Sequence, residues 1–483
     1  MPANNDFSMP QVLHTRFGSI AAWVLGACLW SGCGGEQPAK SRAAELPSSP
    51  TQVAEAGAIE PATSLCPEVA DAPVPLPGVR PHHTQLEYWL SRAEEAGDLD
   101  RPLMSAAEIA SHNKAMLPGP ELREGVAREA GSSARYDLLS PVHTRGLKVQ
   151  LNRRLEFLQL KFQKGSYLNG DGSKVAGKQL DVFRTVETVP PLVPELRIAL
   201  AAVPIRCAPR PEGYYTKSLD HDFDRNLCAT AQPQEVVQVL AAWNDGMVLA
   251  RTSYALGWID VDAPISPPVS HVSAEHFLSG PHIRAGQELE IRTAAGQTIP
   301  VPFGSLLPEL PGGQQVWIAT SEGTTTGAPV EVSAAASSRR PLTRRTFLTD
   351  AFAYLDQPYG WGGYKGGRDC SRFLMDLFAG FGLQLPRHSS HQAVSGPRVI
   401  DVPEHASRQQ RLRILDEAER GGIALMHFPG HIMLYLGRDE SGVPMALHSF
   451  AEYIKPCSGR AAGAAAGNRE TLMKVGRVTV TDL

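Results

Sequence analysis

The sequence predicts an α+β protein of several domains, and three observations predict it. At 483 residues the chain exceeds what one core usually organises, about 100 to 150 residues per domain. Its 44 glycines and 39 prolines divide it into the short runs that make strands and turns. Apolar residues at helical spacing concentrate before Phe162 and again from Phe347 to Phe381, with short alternating runs between and after them. A helical N-terminal region, two small antiparallel barrels and a mixed C-terminal domain follow from that order. The formal charge of -4 offers no basic field for nucleic acid, so a partner has to be read from motifs.

Arg16 is followed by Phe17 to Trp30, apolar apart from Ser19, and then by small residues and a cysteine. The run is short for a membrane span and reads as an export signal. Residues 1–33 resemble a lipoprotein signal, in which a cysteine becomes the lipid-bearing first residue of the mature chain. Cys33 follows Ser31-Gly32, with Trp30 where the pattern has Leu. Cys28 follows Leu25-Gly26-Ala27 and leaves a shorter apolar stretch. Cys33 is taken as the lipidated residue and Cys28 as its alternative, which implies an exported lipoprotein anchored to the membrane and facing the periplasm or cell envelope.

Of the seven cysteines, five lie beyond the signal: Cys66, Cys207, Cys228, Cys370 and Cys457. An odd number leaves at least one thiol free, and outside the cytoplasm a free thiol is a candidate nucleophile. Cys207 and Cys228 are candidates for a bridge within one small domain. No CxxC pair or histidine cluster has zinc-ligand spacing, so neither a metal nor another cofactor is expected.

Residues 34–80 are rich in Ala, Pro, Ser and Glu and read as a flexible linker. Residues 81–190 carry helical signals in Gln85 to Ala96, in Ser105 to Met116 with Ser105 and Glu108 spaced as a capping box, and in Lys148 to Phe162. Residues 191–264 change to short alternating runs: Leu196-Arg-Ile-Ala-Leu, Glu235-Val-Val-Gln-Val-Leu and Met247-Val-Leu-Ala-Arg, with Asn244-Asp-Gly246 as a turn. Residues 265–337 repeat the pattern more weakly, with strands near Glu288-Leu-Glu-Ile-Arg and Gln315-Val-Trp-Ile-Ala. The order Asp222-Phe-Asp-Arg, Glu235-Val-Val, Trp243-Asn-Asp-Gly, Gly257-Trp258-Ile259 resembles a bacterial SH3-type domain, from which Leu227 and Ala229 depart.

Residues 338–483 carry the chemistry. A glycine-rich approach, Pro358-Tyr-Gly-Trp-Gly-Gly-Tyr-Lys-Gly-Gly-Arg-Asp, leads into Cys370-Ser-Arg-Phe. Phe373, Leu374, Leu377, Phe378 and Phe381 then share one helical face, with Gly382 placed to end the helix. Cys370 is thus expected at a helix N-terminus, where unpaired N–H groups favour a thiolate and can hold an oxyanion. The base is expected from Phe428-Pro-Gly-His431-Ile-Met-Leu-Tyr-Leu-Gly437, which alternates like a half-buried strand opened by His431. Val443 to Ser449 form the returning strand. If Leu436 faces Val443, then His448 lies directly opposite His431, with Cβ atoms about 5 Å apart, and one imidazole orients the other.

Asp-Cys-Ser at a helix start, Gly-His opening a hairpin and Leu385-Pro-Arg-His-Ser-Ser-His-Gln392 resemble the NlpC-type papain-like cell-wall endopeptidases, over about Arg344 to Leu483. Arg372 departs from that pattern, which carries Gly after Cys-Ser. The resemblance implies a papain-like C-terminal peptidase domain preceded by two small SH3-type β-barrels and a helical N-terminal region. It also implies cleavage of peptidoglycan stem peptides or muropeptides, usually between γ-D-glutamate and a diamino acid. Cys370 would be the nucleophile, His431 the base and His448 the orienting residue. Asp369 and Ser371 would meet the substrate amine, and Tyr359 and Trp361 would line the pocket. Asp369 reads equally as a plain helix cap. Two rivals stand beside this reading: an inactive wall-binding scaffold, against which the intact Cys370, His431 and His448 speak, and an amidase or acyl transferase on the same fold.

Overall fold

The computed structural model describes residues 11–15, 67–117, 135–456 and 470–483, apart from residues 245, 314, 332–334, 339 and 421. Cys28, Cys33, Cys66, Cys457 and most of the expected linker lie outside them. The chain divides into two compact units. In the smaller, Val69–Asp71 pairs in parallel with the chain at Leu472 to Lys474, and Lys474 Nζ lies 2.6 Å from Glu452 Oε2.

The larger unit holds all of the expected chemistry. Its helices begin where the sequence places caps. Ser105 Oγ accepts from Glu108 N at 3.3 Å while Glu108 Oε2 accepts from Ser105 N at 2.7 Å, opening the helix Ala106–Ala115. In Leu86–Ala96, Trp89 is fully buried and donates Nε1–H to His83 O at 2.8 Å. The linker reading fails between residues 73 and 80. Leu76 and Val79 are buried there, and Gly78 packs against the Asp482 side chain, because scattered apolar residues without periodicity can still seat a proline-rich segment.

The helix Thr144–Gln163 starts four residues earlier than its apolar spacing suggests and turns Leu147, Leu151 and Leu155 onto Leu240, Leu249, Leu256 and Trp258. A lone amphipathic helix cannot bury its own stripe, so this one completes the core of the β-domain that follows instead of belonging to a separate helical domain. That β-domain is an antiparallel six-stranded sheet in the order Glu195–Ile198, Val236–Asn244, Met247–Arg251, Leu256–Asp260, Val203–Arg206, Leu227–Ala231. Cys207 and Cys228 are bridged within it. A second β-domain sets a four-stranded and a three-stranded sheet around one core of Ile283, Leu289, Ile291, Val301, Leu307, Val316 and Ile318.

The C-terminal domain packs the helices Arg344–Ala353 and Cys370–Ala379 with a sheet in the order Arg398–Val402, Gln11–Thr15, Ala424–Phe428, His431–Arg438, Pro444–Pro456, Glu470–Asp482. Gln11–Thr15 lies within the span read as export signal, before its apolar run, and pairs in parallel with both neighbours. The hairpin register differs from the expectation. Leu434 faces Leu447 and Tyr435 faces Ala446, then an irregularity shifts the pairing so that Gly437 faces Met445. The pairing is two residues away from the one that would set His431 directly opposite His448. The turn is displaced toward the C-terminus, lying between Arg438 and Pro444, where Asp439 accepts from Ser441 N at 2.9 Å and Val443 N at 2.8 Å and closes a local polar loop. An even slip preserves the face of every side chain, so the two imidazoles remain neighbours along a diagonal.

Candidate active site

Cys370 is the first residue of the helix Cys370–Ala379, and Asp369 is its cap, accepting from Arg372 N at 2.9 Å. The apolar face that the spacing predicts is buried, with Phe373, Leu374, Leu377 and Phe378 all at 0% exposure. Gly380 takes the C-cap position, and Gly382 follows at φ +75°. Asn113 then pins the turn, donating Nδ2–H to Gly382 O and accepting from Gln384 N, both at 2.8 Å. The helix that delivers the cysteine is therefore held at both ends by side-chain hydrogen bonds.

The Cys370 sulfur is buried and receives the backbone N–H groups of Ile432 and Ser371. The contact from Ile432 brings the first turn of the helix against the strand that His431 opens. Burial pushes the thiol up to about 12, with the Asp369 carboxylate adding to the rise and the two N–H groups opposing it. In the resting site, desolvation and a neighbouring negative charge thus act against the helix terminus that favours a thiolate. Burial likewise holds His431 down to about 4, with His427 lowering it further and Asp369 raising it.

His431 Nε2 lies 2.6 Å from His448 Nδ1, and the rings are 4.8 Å apart. His448 is 2% exposed, and burial, then His431, keeps it well below its ordinary value. On its far side His448 Nε2 lies 2.9 Å from Thr481 Oγ1. The structure thus pairs His431 with His448, sets Ile432 of the same strand against Cys370, and adds Thr481. A threonine near the chain end within Val478-Thr-Val-Thr481 carries no local signal of such a role.

Asp369 is shared. Arg387 donates to Oδ1 at 3.0 Å and to Oδ2 at 2.5 Å, Gly362 N donates to Oδ2 at 3.0 Å, and Ser371 Oγ donates to Oδ1 at 3.1 Å. Burial raises this carboxyl, but Arg387 and the N–H donors outweigh it and leave it below the ordinary range. Arg387 also donates to Ser371 Oγ at 2.8 Å. It stands inside the motif that the sequence singles out, yet only a bidentate contact identifies it as the partner of Asp369.

Tyr359 and Trp361 meet the first β-domain. Phe223 packs 5.5 Å from the Trp361 ring and 6.1 Å from the Tyr359 ring, and Trp361 Nε1 donates to Asp224 O at 2.9 Å. The Arg225 guanidinium lies 4.5 Å over the Trp361 ring. Burial raises the Tyr359 hydroxyl, and the charges of Asp369 and Cys370 raise it further, as a ring bordering the sulfur must experience. The Asp222-Phe-Asp-Arg segment thus packs behind Tyr359 and Trp361.

Among the described residues, His82, His83 and Glu440 also gather within ligand distance of one another. Arg80 and Tyr88 both hydrogen-bond the Glu440 carboxylate, and Arg80 N donates to His83 Nδ1 at 3.1 Å. An Nδ1 that accepts leaves the proton on Nε2, so these residues form a hydrogen-bonded cluster and not a preformed metal site.

A cysteine opening a buried helix, set against a strand led by histidine, is the arrangement of a papain-like cysteine peptidase fold. Residues 356–452 match the NlpC/P60 family, so the C-terminal part of the chain is an NlpC/P60 domain, the fold of a family of cysteine peptidases. The γ-D-glutamyl-L-lysine dipeptidyl-peptidase of Bacillus cereus is 26% identical over 129 residues, 26% of this chain, and the match spans 34% of that relative's length. An NlpC/P60 endopeptidase from Photobacterium damselae subsp. piscicida superposes with a TM-score of 0.53 over 81% of this chain and 89% of its own, at 16% identity. A NlpC/P60 family protein from Bacillus cereus aligns over 53% of this chain and 81% of its own, with a TM-score of 0.33 and 14% identity.

Proposed function

We propose that the protein is a cysteine endopeptidase that hydrolyses peptidoglycan stem peptides at the bond between γ-D-glutamate and a diamino acid. The observation that carries the proposal is the 2.6 Å approach of His431 Nε2 to His448 Nδ1, on a strand whose Ile432 N–H meets the Cys370 sulfur. With Nε2 turned to His448, Nδ1 of His431 is the nitrogen left for the thiol. His431 takes the S–H proton as sulfur attacks the γ-glutamyl carbonyl carbon, and the N–H of Cys370 donates to the oxyanion. The C–N bond then breaks, the departing amine takes the proton from His431, and water hydrolyses the thioester with His431 as base again.

The buried thiol and imidazole are both neutral at rest, so proton transfer belongs to the attack itself. Tyr359 and Trp361 line the pocket, and the β-domains, taken as SH3-type barrels, narrow the approach to it. The substrate amine meets Ser371 and Asp369, whose carboxylate Arg387 holds in place. The 26% identical relative, named for a γ-D-glutamyl bond, supports this substrate class. Export and anchoring through Cys33, or through Cys28, would deliver the enzyme to its substrate.

Incubating the protein and a Cys370→Ala variant with L-Ala-γ-D-Glu-diaminopimelate, with and without attached muramic acid, tests the reading by product mass. Release of the diamino acid by the wild type alone is expected. Cleavage that persists in the variant removes the nucleophile, and cleavage of neither compound by the wild type favours a wall-binding scaffold. Fatty-acid labelling of cells expressing the wild type, Cys33→Ala and Cys28→Ala proteins tests the anchor; loss of label in Cys28→Ala alone would assign it to that cysteine.

A further inference from the structure

The proton arrangement of the two imidazoles is not set by the pair alone. A neutral imidazole has one donor and one acceptor nitrogen, so the 2.6 Å contact between His431 Nε2 and His448 Nδ1 can be made in two ways. In one, His448 Nδ1 donates, and the remaining His431 proton sits on Nδ1, the nitrogen that the catalytic reading assigns to the thiol; that imidazole cannot act as a base toward Cys370. In the other, His431 Nε2 donates, its Nδ1 keeps a lone pair, and His448 carries its proton on Nε2. The second arrangement needs an acceptor for a buried N–H, and an unmet one costs about 1 to 3 kcal/mol. Thr481 Oγ1 lies 2.9 Å from His448 Nε2.

We propose that Thr481 is a positioning residue of the Cys370–His431 pair: its hydroxyl oxygen accepts the Nε2 proton of His448 and so supports the tautomer in which His431 can take the proton of the thiol. This rests on the catalytic reading above and names a member that the reading does not need. The same arrangement suits both states of the cycle, because protonated His431 also donates Nε2–H to His448 Nδ1. Thr481 is well held for the task. It lies in the strand Glu470–Asp482 beside the fully buried Val480, and two residues on Leu483 N donates to Pro444 O at 3.0 Å. The groups that also bear on His431 are His427 and Asp369. None of them offers His448 Nε2 an acceptor in place of Thr481.

Full-length Thr481→Val keeps the shape and removes the acceptor, whereas Thr481→Ser keeps the hydroxyl. On the stem peptide, Thr481→Val is expected to lower kcat about tenfold with little change in KM, the size of one net hydrogen bond, and Thr481→Ser to recover most of the loss. The second readout is independent of the peptide: the rate of Cys370 alkylation by iodoacetamide against pH, followed by mass. Its profile should shift in Thr481→Val and return in Thr481→Ser. Thr481→Val with unchanged kcat and an unchanged alkylation profile overturns the proposal, as does equal loss in both variants. Should Thr481→Val fail to fold, Thr481→Ala replaces it. If the wild type cleaves no peptide, the substrate assignment fails while the alkylation profiles still decide the role of Thr481.

Discussion

Arg372 Nη2 lies 2.6 Å from Glu235 Oε1, a near-buried ion pair between the helix that begins with Cys370 and the first β-domain. The guanidinium also donates to Tyr254 Oη at 2.7 Å and to Thr230 O at 3.2 Å, and its Nε lies 2.7 Å from Asp376 Oδ1. The residue that departs from the resembled pattern therefore has a job, tying the helix that begins with Cys370 to the first β-domain. Arg372→Ala removes one partner each from Glu235 and from Asp376, which keeps Arg368, and should destabilise by about 1 to 3 kcal/mol. Glu235→Gln leaves Asp376 in place and should cost roughly 1 to 3 kcal/mol. Denaturant midpoints at constant slope measure both, and a loss below 1 kcal/mol for Arg372→Ala would mean the pair is solvated.

Activity should persist well into acid. The base works only when neutral, and burial holds His431 near pH 4, so kcat/KM should fall as pH drops through about 4 and not through the ordinary histidine range. The buried thiol, pushed up to about 12, should add no rising limb between pH 6 and 9. A pH profile with its acid limb near 6.5 would contradict the resting neutral pair.

Gly362 stands at φ +66°, and a Cβ there would come within 2.7 Å of Leu227 Cγ in the first β-domain. Gly362 N also donates to the Asp369 carboxylate at 3.0 Å. Gly362→Ala should therefore strain the turn by about 1 to 3 kcal/mol and lower activity through the cap of the cysteine helix. Thermal melting and turnover measured side by side test this, and wild-type values in both would show that the turn yields.

The Cys207–Cys228 bridge closes a separation of 21 residues. A loop of that size is worth about 3 kcal/mol in the chain-entropy account, so a Cys207→Ser, Cys228→Ser double variant should unfold correspondingly earlier. Unchanged stability in guanidinium would argue that the strands Val203–Arg206 and Leu227–Ala231 hold the same loop without it.

Local chemistry was legible where neighbours in sequence decide it. Ser105 with Glu108 announces a capping box, the stripe from Phe373 to Phe378 announces a buried helix behind Cys370, and the alternation after His431 announces its strand. The hairpin register was misread because Asp439 draws two backbone N–H groups into a loop that the apolar pattern does not reveal. Residues 144–163 looked like part of a helical domain because a period of 3.6 says which face is apolar, not what covers it.

By itself the sequence singled out the candidate residues: a cysteine after an acidic cap, a histidine at a strand start, and a second histidine on the same face across the turn. The tertiary structure decided the protonation and the partners. Whether a sulfur is a thiol or a thiolate depends on how much water and charge surround it, and burial beside Asp369 outweighs the helix terminus here. Arg387, Glu235 and Thr481 became visible only once distant segments met, because a hydrogen bond is set by distance and angle in space, which spacing along a chain does not encode.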